Sequence, residues 1–203
     1  MERDLTQLYW IGGSGCSGKS SIVRLLEKEH GFTTYHCDEH WGEHNERSNP
    51  VDHPGTIRFW SDLEGYCRLP QAEFFEVSRA FFKEDFAMVL EDLAAMQNEK
   101  IIVEGVTLEP DFVLEVADPQ KVIFMIASEE FQRANFLKRD MQKTVFQGFA
   151  DPEGTFEAFM SNLVFQTRSI YDHAMELGLK VIITGENSTL SGNLELVKEH
   201  FRL

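Results

Sequence analysis

The sequence predicts an α/β fold of three layers, a five-stranded parallel sheet held between two layers of helices. Three observations predict it. The segment Gly13-Ser14-Gly15-Cys16-Ser17-Gly18-Lys19-Ser20 has the spacing G-x-x-x-x-G-K-[ST] and joins an apolar run to a helical pattern. Further apolar runs of strand length alternate with segments of helical periodicity along the rest of the chain. Several of those runs are apolar at nearly every position, as in strands buried on both faces.

The first strand is expected over residues 7–12, where Leu8-Tyr9-Trp10-Ile11 is apolar. The glycine-rich loop follows, then a helix to His30. Ile22, Val23, Leu25 and Leu26 recur there at helical spacing, and Gly31 ends it. Phe32-Thr33-Thr34-Tyr35-His36 is aromatic and β-branched and reads as the second strand. Residues 39–55 are polar and broken by Gly42, Pro50, Pro54 and Gly55, and read as an irregular excursion. Pro70 precedes a long amphipathic helix with Phe74, Phe81, Phe86, Val89 and Leu93 on its apolar side. Lys100-Ile101-Ile102-Val103-Glu104-Gly105 is the third strand and Lys121-Val122-Ile123-Phe124-Met125-Ile126 the fourth. Ser128 caps the next helix, with Glu129 and Glu130 in its first turn. Asp151-Pro152 opens a helix that stops at Gly178. Leu179-Lys180-Val181-Ile182-Ile183 is the fifth strand, and residues 189–201 form the last helix.

With 203 residues the chain is long enough for one core, and a single domain over 1–203 is expected. An acceptor-binding insert is expected at about 39–98 and a lid at about 128–150. Acidic residues outnumber basic ones by 34 to 19, and the formal charge of −15 repels nucleic acid and anionic membranes, so neither is an expected partner. Cys16, Cys37 and Cys67 show no metal or disulfide spacing and read as free thiols in a reducing compartment. No apolar run reaches membrane-spanning length, and residues 1–4 are charged, so a cytoplasmic location is expected. The Phe-rich helices fit a monomer or a homodimer equally.

The chemistry of the glycine-rich loop follows from its residue types. Gly13, Gly15 and Gly18 free the backbone to curl, so that the N–H groups of Ser14, Cys16, Ser17, Ser20 and Ser21 gather around phosphate oxygens. The helix behind the loop turns its positive end to the same anion. Lys19 is expected to reach the β- and γ-phosphates of a bound nucleotide, and the Ser20 hydroxyl to ligate Mg²⁺. In a parallel sheet ligands gather at the carboxyl ends of the strands, which draws attention to Asp38 and Glu104. Asp38 is assigned to the acceptor, as base or positioner, and Glu104 to the Mg²⁺ shell, directly or through water.

The loop at 13–20, the aspartate of His36-Cys37-Asp38 and the strand Val103-Glu104-Gly105 together resemble the small P-loop kinases. That group includes nucleoside monophosphate kinases, shikimate and gluconate kinases and the chloramphenicol phosphotransferase type. The resemblance implies a P-loop kinase fold, ATP and Mg²⁺ as cofactors, and Asp38 as the acceptor-side aspartate. It also implies a lid arginine after the fourth strand, for which Arg133 and Arg139 are candidates in Gln132-Arg133-Ala134-Asn135-Phe136-Leu137-Lys138-Arg139. The loop Gly185-Glu186-Asn187-Ser188 stands where that group packs the adenine, so the resemblance implies a base contact there through backbone groups or Asn187. The chain departs from the group in two places. No D-G-[FY]-P-R follows the third strand, and Asp38 is followed by Glu39 and His40 rather than a D-x-D pair.

On the acceptor side, Arg58, Arg68 and Arg79 lie among aromatic residues and are candidates for an anionic or planar acceptor. His36, Asp38, His40 and His44 form a weaker metal-site candidate without the H-E-x-x-H spacing. The expected function is ATP- and Mg²⁺-dependent phosphoryl transfer to a small-molecule hydroxyl or phosphate, with Lys19, Asp38 and Arg133 as catalytic residues. A nucleoside or nucleotide kinase, and an ATP-binding regulatory protein with little turnover, are the alternatives.

Overall fold

The computed structural model describes residues 4–97, 100–139 and 145–203. Its five strands are β1 (Tyr9–Gly13), β2 (Thr33–His36), β3 (Ile101–Glu104), β4 (Val122–Ala127) and β5 (Lys180–Thr184). All pair in parallel, in the order β2-β3-β1-β4-β5. The first strand is therefore central, and the chain switches direction of winding beside it, where such sheets bind ligands. β1 starts later than the sequence predicts because Leu5–Gln7 form a 3-10 turn capped by Asp4.

Side chains leave a strand alternately on its two faces, and here both faces are apolar. Trp10, Val103 and Phe124 point into one layer, and Ile11, Ile102, Ile123 and Met125 into the other. Helices α1 (Lys19–His30) and α9 (Leu190–Phe201) cover the second layer with Ile22, Val23, Leu26, Leu194, Val197 and Phe201. Helices α5 (Gln71–Ala95) and α8 (Pro152–Glu176) cover the first with Phe81, Phe86, Val89, Phe156, Met160 and Ile170. Burial of these side chains stabilises each by roughly 1.5–3 kcal/mol relative to exposure. Cys16, Cys37 and Cys67 are buried free thiols.

The segment 39–55, expected to be irregular, is largely helical: α2 spans Cys37–Arg47 and α3 spans Pro54–Ser61. The reason is an inward face that is not made of aliphatic residues. Cys37, Trp41 and His44 recur at helical spacing, and His44 is fully buried. Its Nδ1 lies 2.5 Å from Asp85 Oδ1 and its Nε2 3.0 Å from Asp92 Oδ2, both on α5. Burial opposes the charge, but the two carboxylates outweigh it and hold the His44 pKa above its ordinary value. α3 carries Pro54 in its first turn and takes its cap from elsewhere in the chain. The N–H groups of Gly55 and Thr56 donate to the Glu84 carboxylate on α5 at 2.8 and 2.7 Å.

Three shorter elements complete the described chain: α4 (Leu63–Cys67), capped by Asp62; α6 (Pro110–Leu114); and α7 (Glu129–Lys138). Ser128 caps α7 by accepting from Phe131 N, and Asp151 caps α8 by accepting from Gly154 N. Of the expected lid, 140–144 fall outside the described residues. Among the described residues no helix is long and apolar enough to cross a membrane.

Candidate active site

The glycine-rich loop connects β1 to α1 at the carboxyl edge of the sheet. Gly13 has φ 115°, and a Cβ there would lie 2.0 Å from the Met125 carbonyl oxygen of the neighbouring strand. Gly18 has φ 91° and precedes α1 without a side-chain cap, so the first N–H groups of that helix face the loop. Cys16 also has a positive φ, 62°, a conformation that non-glycine residues rarely adopt.

Hydrogen bonds hold this unusual path. Ser14 N donates to Met125 O at 3.0 Å, and Ser14 Oγ accepts from Ala127 N at 2.8 Å. Ser17 Oγ donates to Ser14 O at 2.8 Å, and Thr184 Oγ1 donates to Ser17 O at 2.9 Å. Asn193 Nδ2 supports Thr184, and Gln132 Nε2 donates to Gly15 O at 3.2 Å. Lys19 is buried, and its Nζ donates to Gly13 O at 3.2 Å and Ser14 O at 2.8 Å. The ammonium is thus held against the loop carbonyls.

Glu104 ends β3 and pairs in register with His36 at the end of β2. Its Oε1 lies 2.6 Å from His36 Nδ1. Burial pushes the Glu104 pKa up, but His36, Lys19 and the Ser20 hydroxyl outweigh burial and hold it below the ordinary value. The hydrogen bond to Glu104 raises the His36 pKa in return. Glu104 and Ser20 form a hard oxygen donor set of the kind Mg²⁺ takes.

Asp38 stands in the first turn of α2, and its Oδ1 accepts from Val106 N at 3.0 Å. Gly105 permits this approach, since a Cβ there would lie 2.6 Å from Cys37 Cβ. Asp38 keeps an accessible face, yet protein surrounds it on its other sides. That desolvation pushes its pKa up against the opposing pull of Lys19 and the Val106 N–H.

Two cavities flank the loop, each of about 270 Å³. Gly13, Ser14, Gly15 and Asp38 line the first, with an aromatic wall of Trp41, Phe59, Tyr66, Phe82, Phe136 and Phe159. Cys16, Ser17, Gly18 and Ser21 line the second, with Thr184, Ser188, Thr189 and Asn193 opposite. Asn187 is exposed and lies beside that wall rather than in it.

The arginines sort differently from expectation. Arg139 lines both cavities. Arg133 is paired with Glu157 and lines a separate groove, away from the loop. Arg58 pairs with Glu73 at 2.5 Å and Arg68 with Asp151 at 3.0 Å. Arg79 pairs with Asp111 at 2.5 Å and covers the Phe112 ring at 4.7 Å. None of Arg58, Arg68 and Arg79 lines the first cavity, so the structure does not bring them to Asp38.

Nor does it gather the four metal-site candidates. His36 turns to Glu104, His40 stacks on Tyr35 at 4.4 Å, and His44 bridges Asp85 and Asp92. Elsewhere Glu109, Asp111 and His173 converge, and the Arg79 guanidinium already faces both carboxylates. Burial there pushes the Glu109 pKa up to about 7, against the pull of Arg79.

Sequence reasoning missed His36 as the partner of Glu104, and Gln132 and Gln166 in the first cavity. The register of two parallel strand ends carried a signal for His36. For the glutamines there was none, since both lie on ordinary helical stretches.

No protein-family model and no curated protein sequence matches the chain. Solved structures do. Deoxyadenosine kinase from M. mycoides with bound dATP is similar at 15% identity and TM-score 0.51, over 96% of this chain and 98% of that one. The same enzyme with its products bound is similar at 14% identity and TM-score 0.51, over 95% and 98% of the two chains. Shikimate kinase from Acinetobacter baumannii aligns at 14% identity and TM-score 0.49, over 96% and 94%. With its 2-3-1-4-5 parallel sheet and the phosphate loop after the central strand, the chain has the α/β fold of the P-loop kinases.

Proposed function

We propose that this protein is an ATP- and Mg²⁺-dependent phosphotransferase acting on a small-molecule acceptor. The observation that carries the reading is the division of space around the loop. Asp38 shares one cavity with Gly13–Gly15, while Cys16–Gly18 border the other. A donor nucleotide in the second cavity and an acceptor in the first meet across the loop, the arrangement that in-line transfer needs.

Each residue then has a role. The loop amides and the α1 terminus bind the phosphates, and Lys19 exchanges its carbonyl partners for phosphate oxygens. Mg²⁺, held by Ser20 and by Glu104 directly or through water, would offset the charge on the β- and γ-phosphates. His36 fixes the rotamer of Glu104 through their 2.6 Å contact. Asp38 orients the acceptor and takes its proton, a task favoured by its raised pKa. Arg139, on the border of both cavities, is better placed than Arg133 to stabilise the transferring group.

A nucleoside kinase is the second reading. The aromatic wall suits a planar base, and deoxyadenosine kinase is among the similar structures. The test is ADP release from Mg-ATP across nucleosides, nucleoside monophosphates, sugars and drug-like alcohols. Stimulation by one acceptor, lost in Asp38→Asn, is expected. ATP binding with no stimulation by any acceptor would favour a regulatory protein instead.

A further inference from the structure

The side chains around Asp38 also constrain what it acts upon. A phosphorylated acceptor brings two negative charges, and sites for such groups present several Arg or Lys donors. Among the described residues lining the first cavity, Arg139 is the one basic side chain, and it stands at the border shared with the nucleotide side. Arg58, Arg68 and Arg79 are already committed to Glu73, Asp151 and Asp111. The Asp38 carboxylate would itself repel a phosphate.

The rest of the wall is apolar or internally satisfied. Phe59 stacks on Phe81 at 4.2 Å, and Trp41 meets Phe81 edge-on at 5.1 Å. Trp41 Nε1 donates to Thr107 Oγ1 at 3.1 Å, and Thr107 donates to Asp85 at 2.7 Å, so the indole is fixed in place. Tyr66 OH bonds Ser78 Oγ at 2.7 Å. Gln132 spends its amide on Gly15 O and Thr167 Oγ1.

Gln166 is different. It lines the cavity from α8, is only 6% exposed, and its buried amide nitrogen has no hydrogen-bond partner. An unpaired amide in an apolar wall is costly unless something in the cavity accepts from it. A volume of about 270 Å³ suits a molecule of one or two rings.

We infer that the acceptor is an uncharged alcohol built on a ring system, that phosphorylated acceptors are excluded, and that Gln166 donates a hydrogen bond to the ring portion. This rests on the kinase reading above. In the transfer, the acceptor hydroxyl oxygen bonds to the γ-phosphorus of ATP, the bond to the β,γ-bridging oxygen breaks, and the hydroxyl proton passes to Asp38. ADP leaves with the bridging oxygen. Nucleosides and drug-like aryl alcohols share the required chemistry, and the test separates them.

The experiment uses the full chain with Mg-ATP and measures melting temperature and ADP release side by side. The probes are adenosine against AMP, thymidine against TMP, chloramphenicol, and the sugar acid gluconate. A ring alcohol is expected to stabilise the fold and to raise ADP release roughly tenfold or more, while its monophosphate and gluconate do neither. AMP, TMP or gluconate as the better acceptor would overturn the inference and leave the kinase reading intact. A ring alcohol that stabilises the protein without stimulating ADP release would overturn the kinase reading and leave the binding class standing. Failure of all three ring alcohols to bind would overturn the inference itself. For Gln166, both Gln166→Leu and Gln166→Met keep the wall apolar and filled. Each is expected to raise the acceptor KM roughly tenfold, with kcat and the KM for ATP within about twofold. An unchanged acceptor KM in both would remove Gln166 from the account.

Discussion

On the proposed nucleotide side of the loop, Cys16, Ser17, Gly18 and Ser21 come from one short stretch, with Thr184, Ser188, Thr189 and Asn193 opposite. On the proposed acceptor side, the cavity is lined from α2, α3, α4, α5, α7 and α8, which span more than a hundred residues of sequence. The first surface depends on backbone dihedrals and small residues. The second depends on how distant helices pack. Damage to the first is expected to affect every acceptor equally, whereas damage to the second changes which acceptor is taken.

Gly13→Ala is the sharpest way to break the loop that both cavities share. Its Cβ would meet Met125 O at 2.0 Å with φ at 115°, so the loop must shift. A displacement of about 1 Å at the phosphates lowers turnover on the order of 10²-fold, and every acceptor should suffer alike in steady-state assays. Arg139→Ala, on the border between the two cavities, and Arg133→Ala, in a separate groove, form a matched pair. The first should lower kcat at least about tenfold, while the second, which loses an exposed pair with Glu157, should stay within about twofold. Equal losses in the two variants would refute the placement of Arg139.

The smallest effect concerns stability. Burial raises the Glu109 pKa from 4.5 to about 7 in the folded protein. The folded state therefore binds this proton more tightly than the unfolded chain. The resulting stability is full below pH about 4.5 and is lost as pH rises through about 7. Glu109→Gln removes that dependence, and the variant should gain about 1–3 kcal/mol over the parent between pH 5 and pH 8 in urea titrations. Parallel curves for the two proteins would show that Glu109 does not titrate in this way.

The same contrast explains what was readable in the sequence. The loop was legible because its chemistry is local: glycine positions, the lysine and the serine sit at fixed spacing. The five strands were legible as apolar runs. Helix α2 was not, since its inward face is Cys37, Trp41 and His44, and His44 becomes buried only because Asp85 and Asp92 neutralise it. The start of α3 was hidden for a related reason, its cap being Glu84 on another helix. The arginines mislead for the same physical cause. Sequence shows a cation near aromatic residues, but only packing reveals that Glu73, Asp151, Asp111 and Glu157 neutralise Arg58, Arg68, Arg79 and Arg133.

The central claim is that the loop separates a nucleotide site from an acceptor site served by Asp38. The most direct measurement is ATP affinity and acceptor-stimulated ADP release in Lys19→Ala and Asp38→Asn, each checked for a native melting curve. Lys19→Ala should lose turnover on the order of 10³-fold with any acceptor, while Asp38→Asn keeps its ATP affinity and loses stimulation about 10²-fold or more. Undiminished acceptor stimulation in Asp38→Asn, or full activity in Lys19→Ala, would contradict the account.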